Sequence, residues 1–289
     1  MKSTRLTILL ILLWGGLTAT AQVDRSVDSL RVTEAQWRVD SLDGFIVKRY
    51  RFGNGTLFCS AQYLGVIEIP AGSPRRLALA FDSTLTLTSE LASRQNAWAA
   101  VNGSFFDIER GFPVCYLRVN GVQYGENTPA GDTAVMRKYY QHATLLLHGG
   151  RPRLAMPDSN RFWEEHLPDS NIMTAGPMLL RGGKAVEQRD DRTFVIRRHN
   201  RTALGIKRDG TVLLLVADGR HPGKAEGMTL EELTHVLRWL GCEDAINLDG
   251  GGSTTLYVRD RGGVLNHPSD NGHYDALGER PVSNAILVL

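Results

Sequence analysis

The sequence predicts an α+β fold: a mixed, mainly antiparallel sheet with a few packed helices, in a single domain. Three observations lead there. Short β-rich runs separated by Gly and Asp turn signals dominate, long helical patterns are few, and no linker, repeat or low-complexity block interrupts the chain after about residue 50. Short turns favour antiparallel pairing, because a parallel connection needs a crossover of about a dozen residues or more. The 289 residues can bury one large core. Lys plus Arg number 33 against 31 Asp plus Glu, for a formal net charge of +2 without a basic stripe or an acidic tail. That balance argues against nucleic acid as a partner and for a small ligand.

The elements follow in order. Residues 1–21 read as a signal peptide: Lys2 and Arg5 give a positive end, "LTILLILLWGGL" an apolar core, and "ATA" small residues for cleavage. The apolar stretch is too short to span a membrane comfortably, and no Cys follows the cleavage position to carry a lipid. The mature protein is therefore expected to be secreted or periplasmic, with no membrane anchor after signal cleavage. Cys59, Cys115 and Cys242 would face an oxidising compartment, where at most one internal disulfide can form; which pair is left open. None has metal-ligand spacing to another. "SELASRQNAWA" reads as a helix leading into the strand "AAVNGSFFD". "RTALGIKRDGTVLLLVADGR" reads as a hairpin turning at Asp209-Gly210. "MTLEELTHVLRWLGC" is the clearest helix: Thr229 and Glu232 form a capping box, Leu230, Leu233, Val236, Leu237 and Leu240 share one face, and Gly241 ends it. "DAINLDGGGSTTLYV" reads as strand, glycine loop, strand, a second hairpin.

In that last segment Asp249 is followed by Gly250, Gly251 and Gly252. One reading is local: the glycines supply backbone angles closed to other residues, and Asp249 caps the turn. The other is functional: without three Cβ atoms, backbone N–H groups approach a ligand oxygen closely while the carboxylate faces the same space. A two-residue turn suffices for a hairpin, so three glycines exceed that need.

"NLDGGGSTTLYV", together with "HNRTALGIKRDGTVLLLVADGR", "GMTLEELTHVLRWLGCEDAI", "AAVNGSFFD", "TAGPMLLRGGK", "NHPSD" and "ERPVSNAILVL", resembles the phosphodiester glycosidase family. The resemblance runs from about residue 75 to the C-terminus, which sets a glycosidase domain at 75–289 and leaves 22–74 as a partly extended N-terminal segment. One departure stands out, Ser104 where a second glycine is expected. The resemblance implies an exported hydrolase that cleaves a sugar-1-phosphodiester, of the N-acetylglucosamine-1-phosphodiester type, to free sugar and a phosphomonoester.

Residue chemistry can be set beside that implication. A phosphodiester carries one negative charge, which the planar guanidinium holds well. Arg201, Arg220 and Arg280 each sit in a matched motif, Thr202 adds a hydroxyl, and the backbone and hydroxyls of Gly250, Gly251, Gly252, Ser253 and Thr254 would cradle phosphate oxygens. A carboxylate is needed to activate water or to meet positive charge at the anomeric carbon. Asp249 is the first candidate and Asp218 the second; Asp107 follows, with a loop cap as its plainer role. His199 and His221 stay outside the catalytic set, because a lone His is more often structural. Asn102 and Gly103 would bind the sugar, and one of the adjacent rings Phe105 and Phe106 would stack on it, Phe106 being the choice. Only one can, since neighbours on a strand face opposite ways.

The residues show no metal requirement and leave one open, because Asp218 and Asp249 would hold a divalent cation such as Ca²⁺ as readily as do acid/base work. Two other functions stand beside it: a non-catalytic phosphoglycan-binding envelope module, and a general phosphodiesterase. A pure binder gains nothing from Asp249, which would repel a phosphate, and the near-neutral charge does not favour a nuclease.

Overall fold

The computed structural model describes residues 25–130, 137–158, 160–188 and 193–289. The expected signal peptide lies outside the described residues. Three antiparallel sheets carry the fold, which is α+β. The largest has eight strands, in the order Arg38–Leu42, Phe45–Leu57, Ser60–Ile69, Val212–Ala217, Arg201–Lys207, Cys242–Asn247, Met178–Arg181 and Lys184–Ala185. A five-stranded sheet runs Gly263–Val264, Leu256–Val258, Ala99–Asn102, Val282–Val288, Leu77–Thr86. The third, also five-stranded, runs Val122–Gly125, Leu117–Val119, Asn171–Ala175, Ala143–His148, Arg151–Ala155.

Strand alternation explains how one sheet serves two cores. On Val212–Ala217, Leu214 and Val216 turn inward to meet Val101, Ile286 and Leu256 of the second sheet and Leu145 and Met173 of the third. Leu213 and Leu215 turn the other way, onto Leu230, Leu233, Val236 and Leu237 of the helix Leu230–Trp239. That helix starts as its sequence dictates: Thr229 Oγ1 accepts from Glu232 N at 3.1 Å, and the Glu232 carboxylate accepts from Thr229 N at 2.9 Å. The expected helix before the strand Ala99–Asn102 is Thr88–Arg94, seated on the outer face of the second sheet through Leu91 and Ala92. The first hairpin also forms at Asp209-Gly210, where Gly210 takes φ +86° and its N–H donates to Lys207 O at 3.0 Å.

Two expectations change, and the cysteine question left open by the sequence is answered. Residues 38–69, placed in a partly extended N-terminal segment, are three strands of the largest sheet, with Val47 and Ile67 buried in the central core. The "DAINLDGGGSTTLYV" stretch is no hairpin: Cys242–Asn247 pairs with Arg201–Lys207, whereas Leu256–Val258 pairs with Ala99–Asn102 in a different sheet. The glycine loop is thus a crossing between sheets. The cysteines Cys59, Cys115 and Cys242 are all free thiols. No helix among the described residues is long and apolar enough to cross a membrane.

Gly205, in the middle of the Arg201–Lys207 strand, has no room for a Cβ, which would run into Cys242 Sγ. Gly205→Ala is expected to cost about 1–3 kcal/mol of unfolding free energy by overpacking. Denaturant titration of Gly205→Ala, Cys242→Ala and the double variant checks this. The double variant should recover at least ~0.5 kcal/mol relative to additivity.

Candidate active site

The first strand residue Arg201 pairs with Ala217, and Ala203 with Asn247, so Asp218 and Asp249 leave the sheet at one edge, on either side of the Arg201 strand. A cleft of about 300 Å³ opens there, lined by Phe105, Thr193, Phe194, His199, Asn200, Arg201, Arg220, Asp249, Gly250 and Gly251.

Asn102 ties the cleft floor together. Its buried Oδ1 accepts from Thr202 Oγ1 at 2.7 Å and from Thr255 N at 3.2 Å, and its Nδ2 donates to the Asp249 carbonyl at 2.8 Å. Asp249 N donates to Gly103 O at 3.0 Å. The backbone of Asp249 is therefore held from two sides, which leaves its carboxylate to face the cleft with one backbone bond, Gly250 N to Oδ1 at 2.9 Å.

Each glycine of the turn makes room for something different. A Cβ on Gly250 would lie 2.5 Å from Asn200 O; on Gly251, which sits at φ +62°, 2.8 Å from Arg220 Nη2; on Gly252, 2.6 Å from the Arg280 guanidinium carbon. Two guanidinium groups thus close on the turn beside Asp249. Arg220 makes no hydrogen bond or ion pair among the described residues. Its own backbone is left-handed at φ +63°, a strained state for a residue with a Cβ. Arg280 is partly neutralised by Asp270, to which its Nε donates at 2.8 Å.

Burial raises the Asp249 carboxyl to about 6, against the opposing pull of the Ser253 hydroxyl, the Gly250 N–H and the charges of Arg280 and Arg220. His199, on the same wall, is held below its ordinary value by burial and by Arg201.

A family model for phosphodiester glycosidases matches residues 95–289, more than half of the chain. The chain belongs to the phosphodiester glycosidase family. Over 71 residues it is 41% identical to N-acetylglucosamine-1-phosphodiester alpha-N-acetylglucosaminidase of Mus musculus, a match covering 25% of this chain and 13% of the mouse protein. Among solved structures, the zebrafish N-acetylglucosamine-1-phosphodiester alpha-N-acetylglucosaminidase catalytic domain superposes with a TM-score of 0.65 at 18% identity, covering 86% of this chain and 84% of that one. A protein from Synechocystis superposes with a TM-score of 0.60 at 16% identity, covering 87% and 63%. At these identities the two structures are alike in fold.

Within this member of the phosphodiester glycosidase family, Asp249, Arg220, Gly250 and Gly251 line one cleft, and Arg280 stands behind Gly252. Several other expectations are corrected. Arg201 is 2% exposed, and its Nε and Nη2 donate to the carbonyls of Met228, Phe194 and Arg197 at 2.6 to 3.0 Å, so most of its donors brace the cleft wall. Burial lowers Arg201 to about 9. Asp218 is fully buried and accepts from Asn266 Nδ2, His267 N and the His267 ring, each within 2.8 to 2.9 Å. Three of its acceptor positions are thus spent on Asn266 and His267, inside the protein rather than in the cleft. Among the described residues no group of three or more His, Cys, Asp or Glu is placed to hold a metal ion.

Asn102, Thr202 and Thr254 are buried, with Asn102 bonded to Thr202, Thr255 and Asp249 and Thr202 to Thr254, and Gly103 is packed against Asn284; none of the four lines the cleft. Ser253 is buried beside the Asp249 carboxyl, and the unexpected Ser104 has its N–H bound to Asn284 Oδ1 at 2.7 Å. Of the two rings, Phe105 lines the cleft while Phe106 packs on the second sheet's outer cluster. Asp107 caps its loop through the N–H groups of Glu109 and Arg110. His221 does not line the cleft and stands edge-on to Tyr274. Phe194, Asn200 and the Asp218 partner His267 were not singled out from the sequence. The Asp218–His267 pairing spans 49 residues, and only the fold brings it together.

The folded protein binds the Asp249 proton more tightly than the unfolded chain does. The stability conferred by that proton is complete below the unfolded value of 3.8 and is lost as pH rises through about 6. Asp249→Asn, which never ionises, is expected to be more stable than wild type at pH 8 by on the order of 1–2 kcal/mol, with the gap closing toward pH 4. Thermal unfolding of both proteins across that range checks it.

Proposed function

We propose that this chain hydrolyses a sugar-1-phosphodiester, of the N-acetylglucosamine-1-phosphodiester type, to the free sugar and a phosphomonoester. The observation that carries the reading is the juxtaposition of one cleft-facing carboxylate, Asp249, with the uncommitted guanidinium of Arg220 across a glycine turn. A cation pair with Arg280 close by gives the phosphate somewhere to sit, and the carboxylate lies next to it rather than under it. Family membership and the partial identity with the mouse enzyme support the same chemistry. Export through residues 1–21 belongs to this proposal as well.

In the mechanism, Arg220 takes phosphate oxygens by charge-assisted hydrogen bonds, and Arg280 adds positive potential. Phe105 and Phe194 offer apolar faces to the sugar ring. Asp249, ionised above about pH 6, accepts a proton from water. The water oxygen bonds to the anomeric carbon as the bond from that carbon to the phosphate oxygen breaks. The leaving phosphomonoester keeps the electron pair, which the arginines hold. Glycosidases commonly use a second carboxyl group to protonate a sugar leaving group. Here the leaving group's second pKa is about 6, so it departs without a donated proton. One carboxylate then suffices, consistent with Asp218 being withdrawn from the cleft.

Incubation with an α-N-acetylglucosamine-1-phospho-6-mannoside should release free N-acetylglucosamine, and Asp249→Asn should lower kcat by ~10²–10⁴-fold. In heavy-oxygen water the label should appear in the sugar; label in the phosphate would sink the glycosidic assignment. The rate profile should show an acid limb centred near pH 6, activity falling as Asp249 is protonated. Arg220→Ala should reduce kcat/KM by about a hundredfold, and Arg280→Ala by less, because Asp270 already offsets its charge. Binding without turnover, unchanged in Asp249→Asn, would replace this reading with a phosphoglycan-binding module.

A further inference from the structure

The strand order gives the cleft a direction. Asp249 follows Cys242–Asn247, Arg201 opens the next strand, and Arg220 follows Val212–Ala217 one strand further on. The rings offered to the sugar stand on the Arg201 side: the Arg201 guanidinium carbon lies 5.2 Å from the centre of the Phe194 ring, and Phe105 meets Phe194 at 5.9 Å. With the phosphate against Arg220, whatever lies beyond it continues toward the next two strands, Ser60–Ile69 and Phe45–Leu57. Arg51 belongs to the second of these and pairs with Tyr63, whose carbonyl accepts from Asp218 N at 3.1 Å, so it reaches the same edge. Adjacent strands lie about 4.8 Å apart, which sets the Arg51 strand roughly 10 Å from the strand that leads into Arg220.

A second pair of cations stands there, outside the cleft, around Tyr274. The Arg51 guanidinium carbon lies 6.0 Å from the centre of the Tyr274 ring, and Lys224 Nζ, from the His221–Ala225 loop, lies 5.2 Å from it. Both residues are exposed, and neither side chain makes a hydrogen bond or ion pair among the described residues. The ring between them is fixed to the sheet edge. His267 stacks on it at 3.8 Å between centroids, and His267 Nδ1 is bonded to Asp218 Oδ2 at 2.8 Å. Burial and the Asp218 charge push the Tyr274 hydroxyl up to about 12, so it stays neutral and offsets neither cation. The carboxylate of the neighbouring Asp275 is engaged by Asn271 Nδ2 at 3.0 Å and by Leu277 N at 2.8 Å. The ring attracts each cation but offers no acceptor for its N–H groups. An anion between the two would supply that acceptor and relieve the repulsion of like charges.

We infer that Arg51 and Lys224 form a second anion subsite, which holds a phosphate carried on the far arm of the diester. Two strand spacings from Arg220 are too long for the oxygens of one phosphate to bridge, so the second anion is a separate group of the same molecule. The substrate class is then a sugar-1-phosphodiester whose other arm bears a further phosphate, as in a chain of repeating sugar phosphates. This assignment rests on the sugar-1-phosphodiester reading of the Asp249 cleft, and it names what lies beyond that phosphate.

Binding and turnover test the two readings separately. Calorimetry of the full chain with mannose 1,6-bisphosphate and with mannose 6-phosphate should show the bisphosphate bound about tenfold more tightly at low salt, a gain that shrinks as salt is added. Arg51→Gln combined with Lys224→Gln, both at exposed positions, should reduce that gain to about twofold or less. Lys184→Gln combined with Arg208→Gln makes the same change in net charge at exposed positions near the other ends of the strands, and should keep the gain. Equal affinity for the two sugar phosphates, a gain left intact by the Arg51 and Lys224 substitutions, or a gain lost equally in the charge-matched variant overturns the subsite. Release of N-acetylglucosamine from α-N-acetylglucosamine-1-phospho-6-mannoside by the wild type is the independent control. If the bisphosphate binds as expected and that diester is not cleaved, the glycosidase reading fails while the anion subsite stands.

Discussion

The active-site edge depends on one buried side chain, the Asn102 amide. Its oxygen takes hydrogen bonds from the Arg201–Lys207 strand, through Thr202, and from the segment entering Leu256–Val258, through Thr255; its nitrogen binds the carbonyl of Asp249. Two sheets and the turn between them are thereby fixed to one point. A buried amide left without partners costs about 1–3 kcal/mol, so the arrangement is satisfied together or not at all.

On that framework the charges are graded by their surroundings. Arg201 has the deepest burial and is bound to carbonyls, so it shapes the wall more than it attracts an anion. Arg280 is exposed enough to pair with Asp270. Arg220 keeps its guanidinium free at the expense of a left-handed backbone, which the tight His221–Ala225 loop helps to impose through paired N–H to carbonyl bonds of 2.9 and 2.8 Å. Strain at a cleft residue is a familiar companion of function. Asp218 follows the opposite course: its buried charge is consumed in holding His267 and the loop that carries Asp270 and Arg280.

How much of this was legible depends on the range of the signal. The helix Leu230–Trp239 and its capping box, and the Asp209-Gly210 turn, are written in residues three or four apart, and they were readable to the residue. The parity of Phe105 and Phe106 was readable too, but not which ring faced the cleft, because the sheet's two faces are both apolar here. The glycine triplet announced a special turn without saying that it crosses between sheets, since the partner strands lie more than 100 residues upstream at Ala99–Asn102 and about 40 upstream at Arg201–Lys207. Three arginines in matched motifs looked alike in sequence. Only burial separates the brace from the ligand-facing group, and burial is a property of the whole fold.

The cleft residues Phe105, Arg220 and Asp249, with Arg280 behind them, are drawn from positions spread between 105 and 280. No two of them share a strand, and the eight-stranded sheet pairs Ser60–Ile69 with Val212–Ala217 across a long excursion of chain. Such contacts form late, because distant segments must lose their loop entropy before they are rewarded. Assembly of the candidate site in this architecture is therefore a property of completed folding. A nascent or nicked chain with one sheet unformed holds scattered fragments of the site and no functioning part of it.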